Sequence, residues 1–309
     1  MQITARAPVR IDFAGAWTDV SYFADVFGGA TLNAAISIYV TGQLLANEDA
    51  EGGLTAASRA AGTHPALAVS YESAIPAGSG LGTSATLNVV WLSLARREPI
   101  TDRANRLRIA ELAYDIEKAL GIIGGKQDQF ASAVGGVNLF EFGSEGVSCS
   151  PVELSPTEIS ELESQLVLCY TGKTRLSSQI HKSVWGKFVA GEQRTIAALF
   201  NLRRSAYEAK AALEDHDLAM FARKVSAQRT FMRDLDASTT NAQIEALFDS
   251  VEPYILGGKP CGAGGGGCVF FLAKDDEAKQ RVKDTLSGQG LEGLDVSFDF
   301  DGLVLEMAP

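Results

Sequence analysis

The sequence contains 309 residues, of which 38 are Asp or Glu and 27 are Lys or Arg, so its formal net charge is −11. A protein that binds nucleic acid normally carries a basic face, and this balance therefore argues against a nucleic-acid partner. Hydrophobic residues make up 46% of the chain and charged residues 21%, which excludes a mainly disordered protein. The length accommodates one large domain or two of medium size.

The first residues lack the basic and apolar regions of a secretory signal, and no apolar stretch reaches the roughly 18 residues of a membrane helix. We therefore expect a cytoplasmic protein with no membrane partner. The four cysteines, Cys149, Cys169, Cys261 and Cys268, show no paired spacing. Neither a zinc site nor a disulfide framework is predicted from them.

The first half of the chain predicts strands followed by two helices. Alternating or β-branched residues predict strands at 7–13, 36–45 and 66–71. A helical pattern starts at Thr83, and a second helix follows the cap candidates Thr101 and Asp102 and stops at Gly121. The predicted apolar faces consist of Leu87, Val90, Trp91 and Leu94 in the first helix and Ile109, Leu112, Ala113, Ile116 and Leu120 in the second.

The second half mixes strand and helix patterns. Strand character returns at 137–140 and 166–170, and the polar stretch 148–163 between them is the candidate domain boundary. Residues 177–250 have a helical pattern with breaks near Gly191, Asp215 and Ser238. Apolar runs follow at 268–273, 296–298 and 303–305. Because strands and helices do not alternate regularly, an α+β fold is favoured over a doubly wound sheet.

The most informative motif is the glycine-rich segment 76–85, PAGSGLGTSA. Glycines bring backbone N–H groups close to an anion, and the helix that follows adds unpaired N–H donors and the positive end of its dipole. The segment therefore predicts a phosphate-binding loop. It lacks both the lysine of a P-loop and the acidic residue of a dinucleotide fingerprint. The alternative is a glycine-rich turn capped by Thr83 or Ser84.

A second motif, GGKQDQ at 124–129, places Asp128 between two amides and close to Lys126. A neighbouring cation and hydrogen bonds hold a carboxylate ionised and in place, so Asp128 could act as a base toward a hydroxyl. The alternative is a loop residue that bonds its own backbone.

A third motif, KPCGAGGGGC at 259–268, stands directly before an apolar strand. Five glycines in six positions are costly in entropy unless a backbone or a ligand approaches closely. The alternative is a flexible linker, although linkers rarely lead at once into an apolar strand.

Together with RAPVRIDFAGAWTD at 6–19, these three motifs, in this order, resemble the GHMP kinase superfamily of galactokinase, homoserine kinase, mevalonate kinase and phosphomevalonate kinase. The resemblance spans nearly the whole chain. RID at 10–12, WTD at 17–19 and YTGKTRL at 170–176 look most like the kinase part of L-fucokinases. GGKQDQ is shared with the D-glycero-D-manno-heptose 7-phosphate kinase branch as well. The resemblance implies an α+β fold, with a ribosomal-protein-S5-like domain at 1–160 and a ferredoxin-like domain at 161–309.

The resemblance also implies roles for individual residues. The ATP phosphates would be bound by Gly78, Ser79, Gly80, Leu81, Gly82, Thr83, Ser84, Gly264 and Gly265. Ser84 and Glu117 would hold Mg²⁺, which needs few carboxylates beside phosphate oxygens and water. Asp128 would face the sugar hydroxyl as a base or an electrostatic orienter. Arg10 would stabilise the charge that develops on the phosphoryl group or lower the pKa of Asp128. The sugar contacts would come from Asp19, Trp17, Thr18, Lys126 and Arg175.

Simpler interpretations exist for several of these residues. Glu117 could be an exposed helix carboxylate, Arg10 could pair with Asp12 on the same strand face, and the basic loop with Arg175 could be a solvated turn. The two remaining candidates, His181 and His216, have no motif context. We expect both to be helix-surface residues rather than ligands.

The implied function is ATP-dependent phosphorylation of a free sugar at its anomeric hydroxyl, and the resemblance is compatible with a homodimer. One alternative is a kinase for heptose 7-phosphate. Another, from a different class, is a catalytically silent regulator that senses sugar and ATP. The presence of Asp128, Glu117 and Ser84 argues against the regulator. Ala16, where the branch commonly has glycine, would tighten the sugar pocket.

Overall fold

Two antiparallel sheets and the helices around them form the part of the chain that the computed structural model describes, which is residues 2–44, 69–172 and 177–308. The strands are β1 (Gln2–Ala14), β2 (Gly29–Leu44), β3 (Val69–Ser73), β4 (Val137–Gly143), β5 (Gly146–Pro151), β6 (Leu166–Tyr170), β7 (Ile255–Pro260), β8 (Cys268–Ala273), β9 (Gly293–Leu294) and β10 (Val304–Ala308). The helices are α1 (Ser21–Phe27), α2 (Thr83–Arg96), α3 (Arg103–Ala119), α4 (Gln127–Val134), α5 (Pro156–Gln165), α6 (Ser177–Val189), α7 (Gln193–Glu214), α8 (Leu218–Leu235), α9 (Ala242–Val251) and α10 (Asp276–Gly288).

The first sheet has the strand order β10-β1-β2-β4-β5, and β3 pairs with the far end of β2. Strand β10 comes from the opposite end of the chain and pairs with the start of β1, from Gln2 opposite Ala308 to Arg6 opposite Val304. Helices α2, α4, α7 and α8 contact β1, and residues 7–14 of that strand are buried without alternation. The predicted strand is confirmed, but both of its faces are covered, as in sheets packed between helix layers.

The second sheet has the order β7-β8-β6-β9 and shares its core with the first. Phe13 of β1 packs edge-on against Phe270 of β8, with ring centroids 5.7 Å apart, and against Phe221 of α8 at 5.1 Å. Such aromatic pairs contribute about 0.5–1.5 kcal/mol beyond the area that they bury. This shared core fixes the ends of β1 and β7 next to each other, and the functional cleft lies beside them.

The two predicted helices are confirmed, with corrections to their buried faces. Helix α2 begins at Thr83, and Asp102 caps α3 by accepting a hydrogen bond from the backbone N–H of Asn105. In α3 the buried stripe extends to Tyr114 and Glu117, whereas Leu120 is 52% exposed. The prediction for Leu120 is wrong because the helix ends one residue earlier. In α2, Val90 and Leu94 are buried, whereas the other two predicted residues, Leu87 and Trp91, are only partly so.

The helical stretch 177–250 divides into α6, α7, α8 and α9, with breaks at the three predicted places. Helix α1 lies within the first 45 residues, for which the sequence predicts only strands joined by glycine turns, so that prediction is wrong there. Other elements have no prediction, among them α4, β5, α5, β7 and α10. The candidate boundary at 148–163 falls on β5 and α5, where Ser155 and Glu158 form a reciprocal capping box. Residues 66–68 of the predicted third strand lie outside the described residues. No helix in the described ranges is both long and apolar enough to cross a membrane.

Candidate functional site

A cleft of about 350 Å³ opens where the two sheets meet. Its walls come from the end of β1, the glycine-rich loop before α2, the segment between α3 and α4, helix α6 and the loop between β7 and β8. The side chains that bring chemistry to it are Arg10, Trp17, Asp19, Ser84, Asn88, Glu117, Gln127, Asp128, Gln129 and His181. All three sequence motifs therefore meet at one place, although they are separated along the chain.

The loop before α2 presents backbone donors rather than a capped turn. The N-cap of α2 is Gly82, in a left-handed conformation with φ 78°, and no side chain caps the first turn. A Cβ at this position would also lie 3.1 Å from Cγ of Asp128, so glycine lets the loop approach that carboxylate. The alternative of a turn capped by Thr83 or Ser84 is wrong. The free N–H groups and the helix dipole suit an anion.

The third motif is part of the cleft wall and not a linker. Its loop is tied to the first glycine loop by a hydrogen bond from Cys268 N to Ser79 O at 2.6 Å. A second bond, from Gly265 N to Thr239 O at 2.6 Å, holds its other side. Gly262, Gly264 and other residues of this loop line the cleft. The two glycine-rich loops thus form one continuous backbone surface.

Arg10 and Asp128 form a charged pair at the base of the cleft. The Nε and Nη2 atoms of Arg10 both donate to Oδ1 of Asp128, at 2.8 Å and 2.5 Å, and Nη1 donates to Gly80 O at 2.6 Å. The guanidinium is buried, whereas the Asp128 side chain is 28% exposed. Because Oδ1 accepts both bonds, Oδ2 is the oxygen of Asp128 that remains for a ligand.

Arg10 belongs to a longer buried chain of charges. Asp12 lies 3.7 Å from Nη1 of Arg10 and accepts from the Lys259 Nζ at 2.5 Å, and both Asp12 and Lys259 are fully buried. Burial opposes the charge on Arg10, but the carboxylates of Asp128 and Asp12 outweigh it and raise the pKa of the guanidinium above its ordinary value. The proposed pairing of Arg10 with Asp12 is therefore present, and it accompanies the contact with Asp128.

Asp19 is a buried carboxylate in the wall of the cleft. Its Oδ2 accepts from the backbone N–H of Gln127 at 3.0 Å, and a Cβ at Gly125 would lie only 1.8 Å from the same oxygen. The glycine before Lys126 is thus required for this contact. Burial raises the pKa of Asp19 from 3.8 to about 7, against the hydrogen bond from Gln127, which lowers it. Such a group is poised to gain hydrogen-bond donors from a ligand.

We expect Asp19→Asn to stabilise the free protein more at pH 8 than at pH 5. Between pH 4 and about pH 7 the folded protein binds more protons at Asp19 than the unfolded chain does, so its stability falls as the pH rises through this window. The neutral amide escapes this loss, and one pKa unit corresponds to about 1.4 kcal/mol. The variant's gain in free energy of unfolding should therefore be larger at pH 8 by on the order of 2 kcal/mol. Urea unfolding at both pH values measures it, and an equal gain at both would contradict the raised pKa.

Glu117 is a second carboxylate in the cleft wall. Its two oxygens accept from the side-chain amides of Asn88, at 2.6 Å, and Gln129, at 2.8 Å. Burial raises its pKa to about 7, opposed by the bond from Asn88, and no cation in the described ranges forms an ion pair with it. The alternative of an exposed helix carboxylate is wrong, since Glu117 is 9% exposed.

Glu117 and Ser84 fit a hard divalent cation. Both line the cleft, and an uncompensated buried carboxylate gains from a nearby positive ion. The described residues contain no cluster of three or more His, Cys, Asp or Glu side chains that would bind a metal by themselves. An ion here would take most of its oxygen ligands from phosphate groups and water, as Mg²⁺ commonly does.

The predicted sugar contacts divide into two groups. Asp19 and Trp17 line the cleft, but Thr18 and Lys126 do not. Thr18 is buried and its Oγ1 bonds the backbone of Gly15 and Ala30, while the Lys126 amine lies 3.7 Å from Glu111 and over the Tyr114 ring. Their polar groups are thus taken up by neighbours within the fold. Arg175 lies outside the described residues. Among the predicted phosphate contacts, Ser79, Leu81 and Gly265 contribute to the loops without lining the cleft.

His181 is a cleft residue that sequence reasoning placed on a helix surface, and that prediction is wrong. It projects from α6 over the indole of Trp17, with ring centroids 4.5 Å apart. His216 is exposed and pairs with Glu158, as a surface residue would. A lone histidine carries no local signal that separates these two outcomes. His181 lies in the cleft because helix α6 packs over Trp17 in the folded protein.

The sequence of this chain matches two family models and resembles several known proteins. The model of the GHMP kinases N terminal domain matches residues 50–136, and the GHMP kinases C terminal model matches residues 209–291. A D-glycero-alpha-D-manno-heptose 7-phosphate kinase from Campylobacter jejuni is 29% identical, over 97% of this chain and 98% of that protein. An L-fucokinase/L-fucose-1-P guanylyltransferase from Bacteroides fragilis is 28% identical over 92% of this chain, which spans only 36% of that protein.

Solved structures with a similar fold include kinases as well. A crystal structure described as a D-glycero-D-manno-heptose 1-phosphate kinase from Bacteroides thetaiotaomicron superposes with a TM-score of 0.76 and 25% sequence identity, covering 99% of each chain. The predicted α+β fold with two family domains is confirmed by these matches.

Proposed function

This chain belongs to the GHMP kinases, and we propose that it transfers the γ-phosphoryl group of ATP to the anomeric hydroxyl of a free sugar. The observation that carries the proposal is the Arg10–Asp128 pair at 2.5 Å, set beside an uncapped helix N-terminus in one cleft. Phosphoryl transfer needs positioning and charge neutralisation more than covalent chemistry, and these parts supply both.

In the proposed reaction, Oδ2 of Asp128 receives the proton of the sugar hydroxyl, or orients that hydroxyl. The sugar oxygen forms a bond to the γ-phosphorus while the bond from that phosphorus to the β,γ-bridging oxygen breaks, and ADP leaves. Arg10, kept charged by two carboxylates, neutralises charge that develops on the transferred group. Asp19 holds the sugar by accepting hydrogen bonds from its hydroxyls.

Glu117 and Ser84 would hold Mg²⁺. When bound, that ion neutralises phosphate charge. The two glycine-rich loops bind the phosphate groups with backbone N–H donors, from the first turn of α2 and from the loop between β7 and β8. The proposed domains, 1–160 and 161–309, would then each supply one of these loops.

Glu117→Gln should raise the Mg²⁺ concentration needed for half-maximal activity, because an amide oxygen binds a hard cation more weakly than a carboxylate does. Ser84→Ala should have a smaller effect in the same direction. Mg²⁺ titrations at fixed ATP, with ADP release as the readout, measure both.

A matched control for Glu117→Gln is Glu111→Gln, on the same helix. Glu111 lies 3.7 Å from the Lys126 amine and outside the cleft. Parental Mg²⁺ dependence in both Glu117→Gln and Ser84→Ala would place the metal elsewhere.

The choice of a free sugar is supported by the charges of the cleft. Among its described lining residues Arg10 is the one cation, and it is bonded to Asp128, while Asp19 and Glu117 add negative charge. A substrate that already carries a phosphate dianion needs cations or a nest of N–H groups to hold it. The described walls leave no free cation for that purpose.

The second candidate is a kinase for a heptose 7-phosphate. It is favoured by the full-length similarity to the Campylobacter jejuni protein of that name. Lys173 and Arg175, which lie outside the described residues, are the cations that could hold the phosphate group that such a substrate already carries.

An ADP-release screen decides between these candidates. It would compare free hexoses, deoxyhexoses and uronic acids with heptose phosphates, and ³¹P NMR coupling to the anomeric proton would identify the product. Turnover of a free sugar to its 1-phosphate supports the first proposal. Strong turnover of a heptose 7-phosphate with none of any free sugar supports the second. Binding of sugar and ATP without ADP release would instead indicate a silent regulator.

A further inference from the structure

Trp17 occupies the cleft at an energetic cost. Its φ of 81° lies in the left-handed region, which bulky residues rarely adopt because the conformation is strained. The next residue, Thr18, locks this turn by bonding Gly15 O at 2.8 Å and Ala30 O at 3.0 Å. The backbone of the turn is therefore fixed before any ligand arrives.

The indole nitrogen of Trp17 has no hydrogen-bond partner among the described residues. The residue is 3% exposed, and the nitrogen itself is shielded from solvent. Buried donors are nearly always bonded, because an unmet one is destabilising. This donor lies inside the wall of the cleft, so the donors that a ligand can reach come from the neighbouring ring of His181.

His181 lines the cleft and carries an N–H donor. The Nε1–H of Trp185 donates to Nδ1 of His181 at 3.3 Å, so Nδ1 carries the lone pair and the imidazole proton is on Nε2. Burial lowers the pKa of His181 to about 4, and the ring is therefore neutral at physiological pH. It offers one N–H donor and no charge.

We propose that His181 is a specificity-determining residue of this cleft, whose Nε2–H acts as a neutral donor for an oxygen of the acceptor sugar. This inference rests on the proposed function and deepens it. Asp19, two residues after Trp17, accepts hydrogen bonds and has no donor to give when ionised. Asp19 can therefore accept from the sugar hydroxyls, while His181 donates to a sugar oxygen. His181 thus selects a sugar with an oxygen at that position over its deoxy analogue.

The test uses the free sugar with the highest turnover in the screen, and its monodeoxy analogues. His181→Phe keeps an aromatic ring over Trp17 and removes the N–H, and it should raise the KM for the sugar about 3- to 10-fold, the range of one neutral hydrogen bond. The KM for ATP should stay at the parental value, whereas the Tm should fall because the buried Nε1–H of Trp185 loses its acceptor. His181→Gln, which restores an N–H donor, should recover part of the loss.

The deoxy analogues separate recognition from packing. With the analogue that lacks the recognised oxygen, the parent and His181→Phe should have the same KM. The matched control is His216→Phe, a histidine outside the cleft, which should change neither KM.

Three outcomes would overturn the inference: an unchanged sugar KM in His181→Phe, a raised KM for ATP instead, or an equal loss with every analogue. If only a heptose phosphate is turned over, the free-sugar proposal fails and the same variants are measured with that substrate. Absence of any turnover would overturn both the kinase proposal and this one.

Discussion

Asp128→Asn should lower kcat by at least about 100-fold while the affinity for ATP changes by no more than a few fold. The amide keeps the shape of the side chain and removes both the charge that binds Arg10 and the oxygen that would take the hydroxyl proton. The variant should fold, because Asp128 is partly exposed at the start of α4. Coupled ADP release gives kcat, and nucleotide binding is measured separately by calorimetry.

The control for Asp128→Asn is thermal unfolding, which should remain one cooperative transition at a lower Tm, because the buried guanidinium of Arg10 loses one of its two carboxylates. A near-normal kcat would contradict the assigned role and would leave Arg10 as the centre of a reaction without a base. A large fall in both kcat and ATP affinity would instead indicate that the loop before α2, which packs against Asp128 at Gly82, has moved.

Lys259→Met should cost about 3–5 kcal/mol of unfolding free energy, because the buried carboxylate of Asp12 loses its ammonium partner and keeps only the 3.7 Å contact with Arg10. The Lys259 amine donates to Oδ2 of Asp12 at 2.5 Å and to the backbone oxygen of the same residue at 2.9 Å. The neutral pair Asp12→Asn with Lys259→Met should recover much of the loss, since no unpaired charge remains. Urea unfolding at pH 7 measures all three proteins.

A matched comparison is Lys283→Met, which breaks the contact with the more exposed Asp295 and should cost no more than about 1 kcal/mol. Equal losses of unfolding free energy in Lys259→Met and Lys283→Met would contradict the expectation that a carboxylate without its ammonium partner costs more when it is buried than when it is exposed. An activity loss is also expected in Lys259→Met, because Asp12 without its ammonium partner would attract Arg10 more strongly and compete with Asp128 for it.

The sequence predicts the parts of this fold in which the local pattern is long. Helices α2 and α3 and the breaks between α6, α7, α8 and α9 follow from periodicity and caps over several turns. Helix α4 has only eight residues and lies in a glycine-rich context, so its pattern does not differ from a loop. Strand β2 begins at Gly29, earlier than predicted, because its first residues are small and weakly β-forming while tertiary burial holds them extended.

The sequence predicts those parts of the site that belong to recognisable motifs. The phosphate loop follows from glycine spacing and helix chemistry, whereas the pairing of Arg10 with Asp128, 118 residues apart, could be anticipated only through family resemblance. Lys126 shows that residues close together in the sequence need not have side chains in contact. It stands two residues from Asp128, yet its side chain points to Glu111 and Tyr114 because successive residues at a helix start face different directions.

The pairing of β10 with β1 has a consequence for how the chain folds as it is synthesised. Gln2 is opposite Ala308, about 300 positions away, so this contact is among the most expensive in loop-closure entropy. One edge of β1 has no partner strand until residues 304–308 leave the ribosome, and a bare edge invites pairing with other chains. A fragment ending at residue 160 would keep that edge permanently. The nascent protein therefore needs β10, in addition to its first half, to cover the edge of β1 and so prevent aggregation through it.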